Sequence, residues 1–159
     1  MARSGSFGVN YKKSFGTDPA IVEAKLGDLG TDTDGEWMYV KASAAVAQYA
    51  FVLITDTFTA AETSGASTIV QHVGVAQNAL LTNEFAWVWI GGAAGGGVGK
   101  GIKGKIAASY VVNTPLLTTA AAGVADDAGS TTIKNVSATT ATVGAASVEL
   151  KSTGYLTLN

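Results

Sequence analysis

An all-β fold, a small β-barrel or β-sandwich of about eight short strands with an extended N-terminal arm, follows from three features of the 159-residue sequence. The first is strict alternation over 84–90, where Phe85, Trp87 and Trp89 fall on one face and Ala86, Val88 and Ile90 on the other. The second is the recurrence of short apolar runs separated by Gly, Thr, Ser and Asn, the spacing of strands and turns. The third is that no helical period persists beyond two turns. Because both faces of 84–90 are apolar, that strand is expected to be covered on two sides. With the strand before it, it forms the stretch V-G-V-A-Q-N-A-L-L-T-N-E-F-A-W-V-W-I at 73–90, around which the remaining elements are arranged.

Taken in order, residues 1–28 stand apart as an arm. Phe7, Tyr11 and Phe15 are spaced four apart, but Gly5, Gly8 and Gly16 oppose a helix. An extended arm whose aromatics dock on a partner accounts for them better than a free terminus. Residues 29–159 are expected to form a single β domain. The segment D-L-G-T-D-T-D-G at 28–35 reads as a polar loop. Strands follow at 36–42, 49–55 and 69–77, with an Ala-rich link at 43–48 too short for an independent helix. A Thr/Ala/Ser loop fills 57–67. The run G-G-A-A-G-G-G-V-G-K-G-I-K-G-K at 91–105 reads as a flexible loop, made basic by Lys100, Lys103 and Lys105. Further strands are expected at 106–112, 116–119, 131–136, 147–150 and 155–158, with a loop at 120–130.

Composition narrows the function. Only 14% of residues are charged, against about 25% in ordinary soluble domains. A surface of small neutral residues suits a protein whose neighbours cover much of it. The formal net charge is −2, which argues against nucleic acid as a partner, since phosphate binding rests on a basic excess. With no Cys, disulfides and thiolate metal sites are excluded. No apolar run approaches the roughly 20 residues of a membrane-spanning helix, and no apolar segment of the secretory kind follows Met1. Neither a membrane nor a secretory route is expected, so the chain is expected to fold in the cytoplasm that makes it.

No catalytic or metal motif is complete in the sequence. Asp32, Asp34 and Gly35 match part of a calcium loop, but its closing position, twelve residues from Asp32, is Ser43 rather than Glu. A phosphate loop fails because Gly101 follows Lys100, where Ser or Thr is needed. Gly99, Gly101 and Gly104 match G-x-G-x-x-G, but a strand pattern follows instead of a helix. His72, the only His, lies in a strand pattern without a nucleophile motif. The expectation is therefore a non-enzyme with no cofactor and no metal. Phe85, Trp87 and Trp89 are expected in the core or at an oligomer contact. The alternative is a virion fibre-head or carbohydrate-binding β-sandwich module, which needs exposed Trp.

Several segments together resemble a known family. They are G-E-W-M-Y-V-K-A at 35–42 and the apolar strand ending at Thr55, then V-G-V-A-Q at 73–77 and N-E-F-A-W-V at 83–88. L-L-T-T-A-A-A-G-V-A-D-D at 116–127 and the closing Y-L-T-L-N complete the set. Over roughly four-fifths of the chain they resemble the capsid cement, or decoration, proteins of tailed phages. The arm 1–28 and the Gly/Lys loop 91–105 depart from the family pattern. The resemblance implies a viral structural protein that binds the outer surface of the expanded capsid, as a trimer, and clamps neighbouring copies of the major capsid protein. The chain would then reside on the virion. The expected capsid contacts are Arg3, Phe7, Tyr11, Lys12 and Phe15 of the arm, with Lys100 and Lys103 of the basic loop.

Overall fold

The computed structural model describes residues 14–17, 24–65, 72–140 and 146–159. Among the described residues the chain is all-β, without a helix and with 52% in strands. Eleven strands, rather than about eight, join in one hydrogen-bonded sheet among the described residues.

The N-terminal half is a circuit of pairings. β1 (Leu29–Asp32), where the sequence suggested a loop, forms a hairpin with β2 (Gly35–Ala42), the strand expected at 36–42. The Asp34 N–H donates to the Asp32 carboxylate (2.8 Å) and closes the turn. β2 pairs at its far end with β4 (Thr59–Glu62), which pairs with β3 (Phe51–Ile54), then β5 (His72–Ala76), then β6 (Phe85–Gly96). β6 returns to β2 antiparallel, with Trp37 opposite Trp89 and Tyr39 opposite Trp87. The Ala-rich link forms no helix. Instead Val46 bridges Leu80, so pairing across the chain overrides local propensity.

The C-terminal half repeats the plan. β11 (Ala146–Leu158) pairs with β10 (Thr132–Ala138), β10 with β8 (Leu116–Thr118), β8 with β9 (Ala125–Asp126), β9 with β7 (Lys103–Ile106), and β7 with β11. Residues 147–150 and 155–158 are thus parts of one strand. The expected loops 57–67 and 120–130 contain β4 and β9. After Ile106 the chain turns, with Ser109 at a φ of 70°, so 107–112 is not strand.

The glycine run joins the halves. Residues 91–96 continue β6, and only 97–102 lies between β6 and β7. Here β6 leaves β2 and lies against β11, with Gly91 opposite Tyr155 and Gly96 opposite Lys151. Gly91 has a φ of 96°, and a Cβ on it would lie 2.3 Å from Leu156 Cδ1 and 2.5 Å from the Gly154 carbonyl. Only glycine admits this approach. The buried Ser152 hydroxyl donates to the Gly92 carbonyl (2.8 Å) where the β6–β11 register shifts.

Two cores follow from the alternation of β6. Phe85, Trp87 and Trp89 join Trp37, Tyr39 and the inward residues of the C-terminal circuit, among them Ile106, Leu116, Leu150 and Leu156. Ala86, Val88 and Ile90 join Val40, Val52, Ile54 and Ala60 inside the N-terminal circuit. The second cover expected over this strand is the other half of the same chain.

Candidate docking surface

The described part of the arm is anchored. The Phe15 N–H donates to the Phe85 carbonyl (2.8 Å), and the Phe85 N–H to the Gly16 carbonyl (3.0 Å). The Phe15 ring, half-buried, lies 5.9 Å from Tyr39. Tyr39 in turn stacks on Phe85 at 6.2 Å and meets the edge of Trp87 at 5.1 Å. This aromatic shelf on the outer face of β2 and β6 draws Phe15 onto its own domain by apolar burial, while two backbone bonds hold the register. Phe15 is therefore an anchor of the arm on the domain. Arg3, Phe7, Tyr11 and Lys12 lie outside the described residues.

Lys100 and Lys103 have different surroundings. Lys100 is exposed, with its ammonium 3.4 Å from the Thr33 carbonyl at the tip of the first hairpin. The loop carrying it is tethered by the Gly99 N–H, which donates to Glu149 (2.9 Å). Lys103 belongs to β7. Its N–H donates to Gln77 Oε1 (3.1 Å), its carbonyl accepts from Gln77 Nε2 (2.9 Å), and its ammonium stands 5.9 Å from the Tyr49 ring. The two lysines contact separate parts of the chain.

Phe85, Trp87 and Trp89 are buried in the core, and the Trp89 indole N–H donates to the Asp34 carbonyl (2.9 Å). With Trp37 also fully buried, all three tryptophans are withdrawn from the surface. A sugar-stacking platform of tryptophan, which the carbohydrate-binding alternative needs, is therefore not formed.

The turn at 32–35, read from the sequence as part of a polar loop, is a structural knot. Besides Trp89, the Gly96 N–H donates to the Asp34 carbonyl (2.9 Å), tying the first hairpin to the strand crossing. Burial raises the Asp34 carboxyl above its ordinary value, the neighbouring Asp32 charge adds to this, and Lys100 opposes it. Asp126 is raised as well, first by burial, with Asp127 beside it. The Tyr155 hydroxyl donates to the Glu36 carboxylate, and that bond, ahead of burial and charge, holds the phenol above its usual range. No group of three or more His, Cys, Asp or Glu that could hold a metal occurs among the described residues. His72 is exposed at the start of β5.

Sequence reasoning missed Tyr39 as the receiver of Phe15, although its alternation with Trp37 placed it on the aromatic face. It also missed Gln77, whose buried amide staples β7 to the N-terminal half; nothing in the local pattern marks that role. Comparisons with protein-family models, characterised proteins and solved structures find no match for this chain.

Proposed function

We propose that the protein is a capsid decoration protein that binds the outer surface of a phage head and stabilises it. The observation that carries this reading is the anchoring of the arm. Phe15 and Gly16 fasten the chain to a rigid aromatic shelf, so the residues before them start from a fixed point on the domain. Arg3, Phe7, Tyr11 and Lys12 then supply cationic and aromatic contacts to the major capsid protein, with Lys100 and Lys103 contributing charge from the domain. The low charged fraction supports a life among neighbouring subunits, as does the resemblance of 35–159 to decoration proteins. A trimer would engage three such arms at once, so that weak individual contacts add through effective concentration.

The test is co-sedimentation with expanded, undecorated heads of the phage that carries the chain. The full chain is expected to sediment with the heads. A chain lacking residues 1–12, which keeps Phe15 and Gly16, is expected to stay in the supernatant while melting at the same temperature as the full chain. Equal occupancy by both forms removes the arm from the reading. Failure of the full chain to bind removes decoration itself. Light scattering of the free chain is expected to give three times the 16.0 kDa chain mass.

A further inference from the structure

A groove of about 360 Å³ opens on the outer side of the C-terminal circuit, between the loop before β8 and strands β10 and β11. Lys134 and Lys151 both line it, and both side chains are exposed. No carboxylate is among the lining residues. In a chain of net charge −2, this is a local concentration of positive charge with no acid in its lining; Glu149, two residues before Lys151 on β11, is engaged by the Gly99 N–H (2.9 Å).

The groove is built by a break in strand alternation. The β10–β11 register shifts between Lys134 and Val136, and Asn135 at that bulge has a φ of 64°. The bulge turns Lys134 and Asn135 outward together while Ile133 and Val136 both stay buried. Asn135 is fixed by donating its amide to the Tyr155 carbonyl (2.9 Å). Across the groove Asn113 also holds a positive φ, 66°. Asparagine tolerates this conformation better than other side chains, so each sits where the backbone can present it without large strain. Ser137, directly opposite Lys151 on β10, adds a hydroxyl.

We propose that this groove docks an acidic segment of a partner protein. Lys134 and Lys151 would take two carboxylates in charge-assisted bonds, and the Asn and Ser groups between them would bond the peptide backbone. Charge complementarity selects this occupant. The lining holds no aromatic ring, so it offers no stacking surface for a sugar or a nucleobase. The groove belongs to β10 and β11, whereas the arm is anchored on β2 and β6, so this is a second contact surface on the other half of the molecule. The inference does not depend on capsid binding.

The experiment is a titration of the isotopically labelled full chain with a hexaglutamate peptide, followed by amide chemical shifts at low ionic strength. Saturable shifts confined to β10, β11 and the 113–115 loop are expected, with affinity falling as salt rises. The Lys134→Glu/Lys151→Glu double variant should weaken binding at least tenfold, and Lys134→Ala/Lys151→Ala less. Lys25→Glu, an exposed lysine outside the groove, should leave it unchanged. The melting temperature of each variant, measured alongside, establishes that the fold is kept. Shifts scattered over the surface, or a folded double variant that binds as the parent does, overturn the proposal. So does preferential saturation of the groove by a heparin hexasaccharide or an oligothymidylate.

Discussion

The two cores that meet across β6 are made of different residues, and the difference follows from the strands that enclose them. Inside the N-terminal circuit the β6 residues are Ala86, Val88 and Ile90, facing Val40, Val52, Ile54 and Ala60. Five strands returning on themselves leave a narrow interior. Gly74 shows how narrow: a single methyl group there would lie 2.9 Å from Val88 Cγ2 and 3.2 Å from Ile54 Cδ1. On the opposite face, Trp37, Trp87 and Trp89 fill the wider space between the halves. The small residues thus allow one half to close, and the large ones join it to the other.

The largest expected effect tests that division of labour. Trp89→Ala removes one of the three tryptophan side chains at the junction and its bond to the Asp34 carbonyl. It should cost about 3–5 kcal/mol in urea unfolding. Val88→Ala, its neighbour on the narrow face, should cost only about 2 kcal/mol, the transfer of two methyl groups plus a small cavity. Equal costs would mean that the junction carries no special share of stability and that the comparison between the faces fails.

A smaller effect separates the two parts of the glycine run. Gly91→Ala places a methyl group against Leu156 and the Gly154 carbonyl at a φ of 96°. Gly99→Ala meets nothing within 4 Å at a φ of 77°. The first substitution should destabilise by roughly 2–4 kcal/mol, through steric overlap added to backbone strain, and the second by about 1 kcal/mol from strain alone. Thermal melts of both would show whether 91–96 is structural and 97–102 merely a connection. Similar small losses would return the whole run to a loop.

The same run marks the boundary of what the sequence discloses. The alternation of 84–90 made its strand, its two faces and its double cover legible, because period and apolarity there agree. Beyond Ile90 the residues carry no pattern. Gly91 and Gly92 are in a strand because β11 pairs with them, a fact held some sixty residues away at Ser152 and Gly154. β4 and β9 escaped notice for a related reason: Thr59–Glu62 and Ala125–Asp126 are short, and their partners, not their composition, make them strands. Phe15 was visible as an arm aromatic, but its anchoring on Tyr39 is a long-range contact. The groove beneath Lys134 depends on a one-residue bulge that no spacing signals.

The smallest predicted effect lies at the knot between the first hairpin and the strand crossing. Asp34 is 8% exposed, and burial, with Asp32 beside it, raises its carboxyl above the ordinary 3.8 while Lys100 pulls it down. A carboxyl raised by folding binds its proton more tightly in the folded chain than in the unfolded one. Its contribution to stability is therefore full below pH 3.8 and is lost as pH rises through the folded value. At pH 7 the neutral isostere should do better: Asp34→Asn should melt higher than the parent, by on the order of 1–2 °C. The gap should close in acid, where both side chains are uncharged. Because Lys100 is the cation that offsets this cost, adding Lys100→Ala to both chains should widen the gap at pH 7. A parent that melts above Asp34→Asn at pH 7 would mean that the carboxylate is held by a favourable partner. The tie between the hairpin and the crossing would then rest on the side chain of Asp34 as well as on its carbonyl.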